Sequence, residues 1–404
     1  MAFQQGLSGL NAASRNLDVI GHNIANANTV GMKTSRAEFA EVYASSMGAS
    51  GGISSGIGVS VATVSQMFTQ GNITVTGNDL DVAINGNGFY ELTMPDGSIN
   101  YTRAGMFKLD REGNIVTNNG GQLMGYPTDA QGVRTGFESQ PLRLMTGGPI
   151  PARQTENISA AFNLDARAPI AAAAVPPTPF GTYGTTITAF DQQGLEIPVS
   201  VVFEKIGNNQ WNVYTGVNGA DPALSAPFQI DFLPDGTLDP GVVIPPLELA
   251  SPNDPAAVFN VELDFTGATQ FGTNFAVSDL TQDGYRPGEL TSLGISEAGV
   301  IMARYSNGQS IAAGQIALVN FRNVQGLAPV GNGNWVQTFT SGEPVRGAPG
   351  EGNMGALRSG ALEDSNVDLT AELVNMMTAQ RAYQANAQTI KTQDQVLNTL
   401  LNMR

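Results

Sequence analysis

The sequence predicts a multidomain, mainly β protein. Nested β-domains fill the middle, and N- and C-terminal α-helices pair in a coiled-coil-like inner domain. Three observations predict it. Apolar residues recur at alternating steps of four and three at the start (Phe3, Leu7, Leu10, Ser14, Leu17, Gly21, Ile24) and again at the finish (Leu369, Leu373, Met376, Gln380, Tyr383, Ala387, Ile390, Asp394, Leu397, Leu401). That step is the heptad of a helix–helix seam. Between the two ends, Gly, Thr, Val and Asn abound and turn dipeptides punctuate short alternating runs. Finally, the 404 residues include 48 glycines and only 13% charged residues, which favours short strands and tight turns over long solvated helices.

Residues 1–30 read as an amphipathic helix closed by the Asn-rich stretch Asn23–Asn28 and Gly31. Gly6, Gly9 and Gly21 each weaken it by roughly 1 kcal/mol relative to Ala. Such a helix orders only against a partner. Residues 31–70 read as a linker region, Gly/Ser-rich from Ser45 to Gly58, with a weak strand pattern over Val59–Phe68. Residues 71–145 and 286–364 read as one inner β-domain. Its first part has a half-buried strand at Leu80–Ile84, strands at Tyr101–Leu109 and Gln122–Tyr126, and turns at Pro95-Asp96-Gly97, Glu112-Gly113-Asn114 and Asn118–Gly121. Its second part has strands at Gly299–Tyr305, Ser310–Asn320 and Asn334–Thr340. Residues 146–285 read as an inserted outer β-domain. It holds an exposed Pro/Ala connection at Ala168–Pro179, strands at Thr185–Phe190, Leu195–Glu204 and Trp211–Val217, and a hairpin turn at Pro234-Asp235-Gly236. Residues 365–404 complete the helical domain. Ser365–Asp368 fits a capping box, and an uninterrupted helix over about 367–402 follows, ~50 Å long at 1.5 Å per residue.

Several function classes fall away. With no cysteine there is no disulfide, thiolate zinc site or thiol nucleophile. The single histidine, His22, near the end of the first helix, is too little for a triad or a two-histidine metal site and reads as structural. The carboxylate pairs Asp79/Asp81 and Glu363/Asp364 sit in or beside turns, where acid–base work is not expected. Asp110–Asn114 lacks the distal Glu of a calcium loop and reads as a β-turn. Lys33-Thr34 follows Met32, so there is no phosphate loop. Neither catalytic, cofactor-binding nor metal-binding residues are expected. No run of 18 apolar residues exists, and the N-terminus lacks the basic region of a cleaved signal peptide. The net charge is −16: residues 1–40 carry +1, residues 365–404 are neutral, and the middle carries −17. An acidic middle disfavours nucleic acid and anionic lipid, while near-neutral ends pack without self-repulsion. Val374, Met377, Val396 and Leu400 widen the C-terminal stripe beyond what one neighbour covers, which suits a bundle or tube of subunits. A helical pair closed within one chain is the plainer reading of the same spacing. Exposed aromatics (Tyr183, Trp211, Tyr214) allow an alternative, a surface adhesin or carbohydrate-binding β-protein.

Four segments carry a family resemblance. Asn16–Asn26 with Thr29–Lys33, including Asn23, Asn26 and Gly31, resembles the N-terminal signature of bacterial flagellar rod and hook proteins. Ser365–Leu369, including Asn366 and Asp368, with Ala379–Ala387 resembles their C-terminal signature. Leu80–Phe89 resembles their shared central motif, and Gln282–Gly288 a segment typical of hook proteins. Distal rod proteins are shorter and lack the outer insertion, so the resemblance favours the hook branch, with another axial protein as the alternative. Met32 stands where the family usually has an aromatic residue, and His22 where Asn is common. The resemblance implies a helical homopolymer, a tubular universal joint carrying torque from rod to filament in the extracellular flagellum. It implies assembly through Phe3, Leu7, Leu10, Leu17, Ile24, Leu369, Leu373, Met376, Tyr383, Ile390, Leu397 and Leu401. The implied partners are further copies of the chain, the distal rod protein, the hook cap protein, the hook–filament junction protein and the flagellar type III export apparatus. Phe39 and Tyr43, placed on one helical face at i, i+4, resemble an export-gate recognition motif. Without cysteine, the covalent crosslink of spirochaete hooks is impossible here.

Overall fold

The computed structural model describes residues 2–43, 56–144, 148–171, 183–220, 222 and 225–402. The chain divides into two compact units. One comprises residues 1–147, 292–304 and 310–404; the other comprises 148–291 and 305–309. The sequence reading placed 305–309 in the inner β-domain, but these residues pack with the second unit. The amide of Ser306 donates to the Glu289 carbonyl at 2.8 Å, and the Asn307 side chain to the Arg286 carbonyl at 2.7 Å.

The first unit begins and ends in helix. α1 spans Ala2–Ala25 and α2 spans Leu369–Asn402. α2 starts two residues later than expected, and the capping box does not form. Asp368 is the cap: its carboxylate accepts the amides of Thr370 at 2.8 Å and Ala371 at 3.2 Å. Ser365 Oγ accepts only the Val367 amide, within the preceding turn.

Residues 31–70, expected as a linker, contain an antiparallel hairpin of β1 (Ser35–Tyr43) and β2 (Gly56–Gln66) that packs on α1. Ser8 Oγ of the helix accepts the Val59 amide. Most of the Gly/Ser-rich stretch from Ser45 lies outside the described residues. Phe39 and Tyr43 therefore lie on a strand, not on a helical face. Alanines and glutamates make up most of the segment between Ala37 and Glu41, so local preference alone does not favour a strand; pairing with β2 is what holds the backbone extended.

In the rest of this unit, Val82–Asn85 with Ala356–Ser359 and Ile73–Val75 with Ala361–Glu363 form two separate antiparallel pairs, and most of the remaining strands form one sheet that mixes sequence from both sides of the second unit. In order its main path runs Leu290–Ile295, Val300–Tyr305, Ser310–Ile316, Gln122–Tyr126, Phe89–Thr93, Ile99–Thr102, Asn334–Val336 and Ala328–Gly331. The predicted turns close as hairpin connections: Met94 donates to Ser98 across Pro95-Asp96-Gly97, and Thr117 to Gly121 across the Asn-Asn-Gly turn. Asp110–Asn114 is a turn in which the Asp110 carboxylate accepts the Asn114 amide and side chain. The Leu80–Ile84 segment differs from its alternation. Val82, Ala83 and Ile84 are all buried, because the strand Val82–Asn85 pairs with Ala356–Ser359 and both of its faces are covered. Two apolar clusters fill the unit, one around Tyr90, Leu92, Leu123 and Leu318, the other around Phe89, Tyr101, Phe321 and Trp335.

The second unit holds a mixed five-stranded sheet built on Asn157–Asp165 and a four-stranded antiparallel meander from Tyr183 to Asp231. Their alternating inward residues share one core that includes Phe162, Phe203, Trp211 and Phe265. Trp211 is fully buried, Tyr183 stacks on Phe275 at 4.8 Å, and the Tyr214 hydroxyl bonds Glu204. These aromatics line no sugar groove, and the adhesin alternative loses its support. Most of the Ala168–Pro179 connection lies outside the described residues. The Gln282–Gly288 motif closes the unit where the chain enters and leaves it: the Asp283 carboxylate accepts the amides of Glu156 at 2.8 Å and Asn157 at 3.0 Å.

Candidate functional site at the paired terminal helices

α1 and α2 pack against each other antiparallel. Gly6 lies opposite Ile390, Gly9 opposite Asn386, and Asn23 approaches Glu372. Small residues of α1 meet larger ones of α2 in the seam. A Cβ added at Gly6 would stand 3.1 Å from Ile390 Cγ1, and one at Gly9 2.9 Å from the Asn386 side chain. These glycines thus permit close helix approach as well as weakening the isolated helix. Buried Ala13, Ile20 and Asn23 continue their row at heptad spacing.

That row stands one residue before the large apolar row read from the sequence. One residue turns a helix by about 100°. Phe3 is accordingly 48% exposed and Leu7 44%, while Leu10, Leu17 and Ile24 are partly buried. On α2, Leu369, Leu373, Tyr383 and Leu397 are exposed, as are Val374, Met377 and Val396 beside them; Met376 and Ile390 are partly buried. Among these, Ile390 faces α1 directly at Gly6. The side chains of Leu400, Leu401 and Tyr43 lie outside those described. The intrachain pair therefore leaves a stripe of large apolar side chains facing outward along both helices.

The roots of the helices are fastened by the residues that carry the terminal signatures. Asn23 is buried and clasps the Ser35 backbone twice, its Nδ2 donating to the carbonyl at 2.8 Å and its Oδ1 accepting the amide at 2.9 Å. Asn26 Nδ2 donates to the His22 carbonyl, closing the end of α1, where the His22 side chain is exposed. Gly31 has φ +71°, and a Cβ there would stand 2.7 Å from the Ala104 amide nitrogen. Asn366 joins three segments: its Oδ1 accepts the Thr34 amide and hydroxyl at 2.7 Å, and its Nδ2 donates to the Met67 carbonyl at 2.7 Å.

Beneath these clasps lies a feature that sequence reasoning missed. Glu363, expected beside a turn, is fully buried and is the acceptor of an ionic cluster. Its Oε1 accepts Lys33 Nζ at 2.6 Å and the Gly71 amide at 2.9 Å; its Oε2 accepts Arg103 Nη1 at 3.1 Å. Lys33 is also fully buried and donates to the Thr69 carbonyl at 2.8 Å. Burial pushes the Lys33 ammonium below the ordinary lysine range, against the pull of Glu363. Nearby Tyr90, buried with its hydroxyl on the Val82 carbonyl, titrates well above the usual tyrosine range because burial disfavours the phenolate. Lys33 and Gly31 were visible as parts of the N-terminal signature, but no local pattern links them to Arg103 or Glu363.

Known proteins match this arrangement along the whole chain. Residues 3–33 match the family of flagella basal body rod proteins, and 83–157 the D1 domain of the flagellar hook protein FlgE/F/G family. Residues 163–285 match the flagellar basal body protein FlaE D2 domain, and 358–403 the C-terminal family of flagellar basal body rod FlgEFG proteins. Paired terminal helices around nested β-domains, with these matches in order, define an axial protein of the bacterial flagellum. The flagellar hook protein FlgE of Escherichia coli (strain K12) is 44% identical over 421 aligned residues that cover all of both chains. Those of Salmonella typhimurium and Borreliella burgdorferi are 42% and 33% identical, again across all of this chain. The chain belongs to the flagellar hook protein FlgE family. The crystal structure of Helicobacter pylori flagellar hook protein FlgE2 covers 72% of this chain and all of its own at a TM-score of 0.56 and 14% identity, a likeness of fold.

Proposed function

We propose that this chain is the repeating structural subunit of the flagellar hook, polymerising into a tube that bends as a universal joint while carrying torque from rod to filament. One observation carries the reading: the row of α1 that includes Gly6, Gly9 and Ala13 faces α2 or is buried, while Phe3, Leu7, Leu369, Leu373, Tyr383 and Leu397 are left exposed by the pairing. A pair built only to close a monomer would point the large residues inward. Phe3, Leu7, Leu10, Leu17, Ile24, Leu369, Leu373, Met376, Tyr383, Ile390, Leu397 and Leu401 are the proposed packing residues within and between subunits. The terminal helices form the inner tube and the β-domains the outer layers, whose acidic, Gly- and Asn-rich surfaces let neighbours slide as the tube bends. The distal rod protein meets one end of the polymer. The hook cap and hook–filament junction proteins meet the other. The role is structural, with no catalysis, in the extracellular flagellum after export by the type III apparatus without signal cleavage. No helix among the described residues is long and apolar enough to cross a membrane.

The test is polymerisation of a Leu7→Ser, Leu373→Ser double variant. Both side chains are about half exposed in the monomer, so its unfolding midpoint should hardly move. About half of each Leu side chain remains to be buried in a polymer, worth roughly 0.75–1.5 kcal/mol apiece, so the critical concentration should rise about 10- to 100-fold. Polymerisation at the parental concentration would remove the helical stripe from the assembly interface.

A further inference from the structure

The ionic cluster at the helix roots has a division of labour in its geometry. Glu363 lies six residues before α2 and presents its two carboxylate oxygens to different parts of the fold. Through Oε1 it holds Lys33, on the segment leaving α1, and the Gly71 amide, on the segment leaving β2. Through Oε2 it holds Arg103, whose Nη2 donates to the Gly86 carbonyl at 2.9 Å beside the central motif. The Arg103 guanidinium also stands 5.5 Å over the Phe89 ring of the inner core. A backbone bond adds to the first branch, the Gly31 amide donating to the Glu363 carbonyl at 2.8 Å. The cluster holds two cations and one anion, all buried. Such a set is poor stabilisation, because desolvating three charges costs more than one carboxylate returns. Its geometry is specific all the same: one carboxylate is the common partner of three segments far apart in sequence.

We infer that Glu363 is the positioning residue that couples the helical layer to the inner β-domain, one carboxylate oxygen to each, with Lys33 the arm to the α1 exit and Arg103 the arm to the sheet. Movement of the helices then reaches the β-domain through a joint of fixed register rather than through the apolar contacts around it. The coupling is a property of the single chain and stands apart from the polymer reading.

The two arms can be cut separately. Lys33→Met and Arg103→Met each leave one cation on one anion, a balanced buried pair. The experiment is segment-resolved hydrogen exchange on the full-length monomeric protein. Lys33→Met should speed exchange about tenfold or more in residues 26–36, leaving 83–105 within about twofold of the parent; Arg103→Met should do the reverse. Glu363→Gln, which strands both cations, should loosen both segments together. A plain stabilising role would raise exchange evenly across the first unit in both variants, and that result, or no change in either, overturns the assignment. Should Lys33→Met fail to fold, Lys33→Arg keeps the charge while altering the donor geometry. A change confined to residues 26–36 would then support the branch assignment, and a change in both segments or in neither would overturn it.

Discussion

Gly31 offers the sharpest measurement of how tightly the helix root is built. It stands at φ +71°, where an L side chain is disfavoured by roughly 1–2 kcal/mol. It also lies against backbone, with a Cβ placed 2.7 Å from the Ala104 nitrogen and 2.8 Å from the Arg103 carbonyl carbon. No side chain can swing aside to relieve that approach, so the segment carrying Arg103 must shift, which adds about 1–3 kcal/mol as overpacking does. Gly77 is a matched control in the same unit: its φ is +77°, and a Cβ there meets nothing within 4 Å. Gly77→Ala should therefore lose only the backbone part, about 1–2 kcal/mol, and Gly31→Ala about 2–5 kcal/mol. At about 2–4 °C per kcal/mol for a domain of this order of size, the midpoints should fall by about 2–8 °C and about 4–20 °C respectively. Calorimetry of the two variants against the parent reads this directly, with the transitions of the two units fitted separately. Equal shifts would show that the Ala104 approach is soft and that Gly31 is needed only for its dihedral angle.

Phe39→Ala, at an exposed strand position, should lower secretion while purified protein polymerises as before; undiminished secretion would end the export-recognition proposal for Phe39 and Tyr43. In the second unit, hydrogen bonds from Arg167 hold the Asp165 carboxyl down at about 2, below its ordinary 3.8. A depressed carboxylate contributes stability that is complete above its unfolded pKa and is lost as pH falls through the folded one. Asp165→Asn should therefore flatten the loss of second-unit stability between about pH 4 and pH 2, measured by acid titration of its unfolding transition; an unchanged slope would show that the Arg167 contact does not persist in solution.

The elements that were legible in the sequence are those whose causes are local. The terminal helices followed from a heptad extending over many turns and from the Asn/Gly ending of α1. The hairpin turns followed from Pro-Asp-Gly and Asn-Gly, whose backbone preferences operate within four residues. Where the reading went astray, a contact remote in sequence outweighed the local pattern. Ser365–Asp368 matches a capping box, yet Asn366 is committed to Thr34 and Met67, and the cap passes to Asp368. The Phe39–Tyr43 segment has a spacing that suits a helix, but β2 supplies ladder partners for its backbone. Val82–Ile84 alternates like a half-buried strand, but both of its faces are covered.

By itself the sequence determined that two helices at opposite ends must meet, that β-structure lies between them, and that the ends carry an apolar stripe too wide for a single partner. Periodicity records which residues share a face, and composition records which backbone conformations are cheap. Neither records which neighbour a face receives. The tertiary structure decided that glycines and alanines take the intrachain seam while Phe3, Leu7, Leu373 and Leu397 turn outward, a rotation of about 100° that leaves the heptad spacing unaltered. It also decided that Lys33, Arg103 and Glu363 share one buried site. Separations of 70 and 260 residues leave no periodic trace, and only the closing of the chain on itself brings those charges within hydrogen-bonding distance.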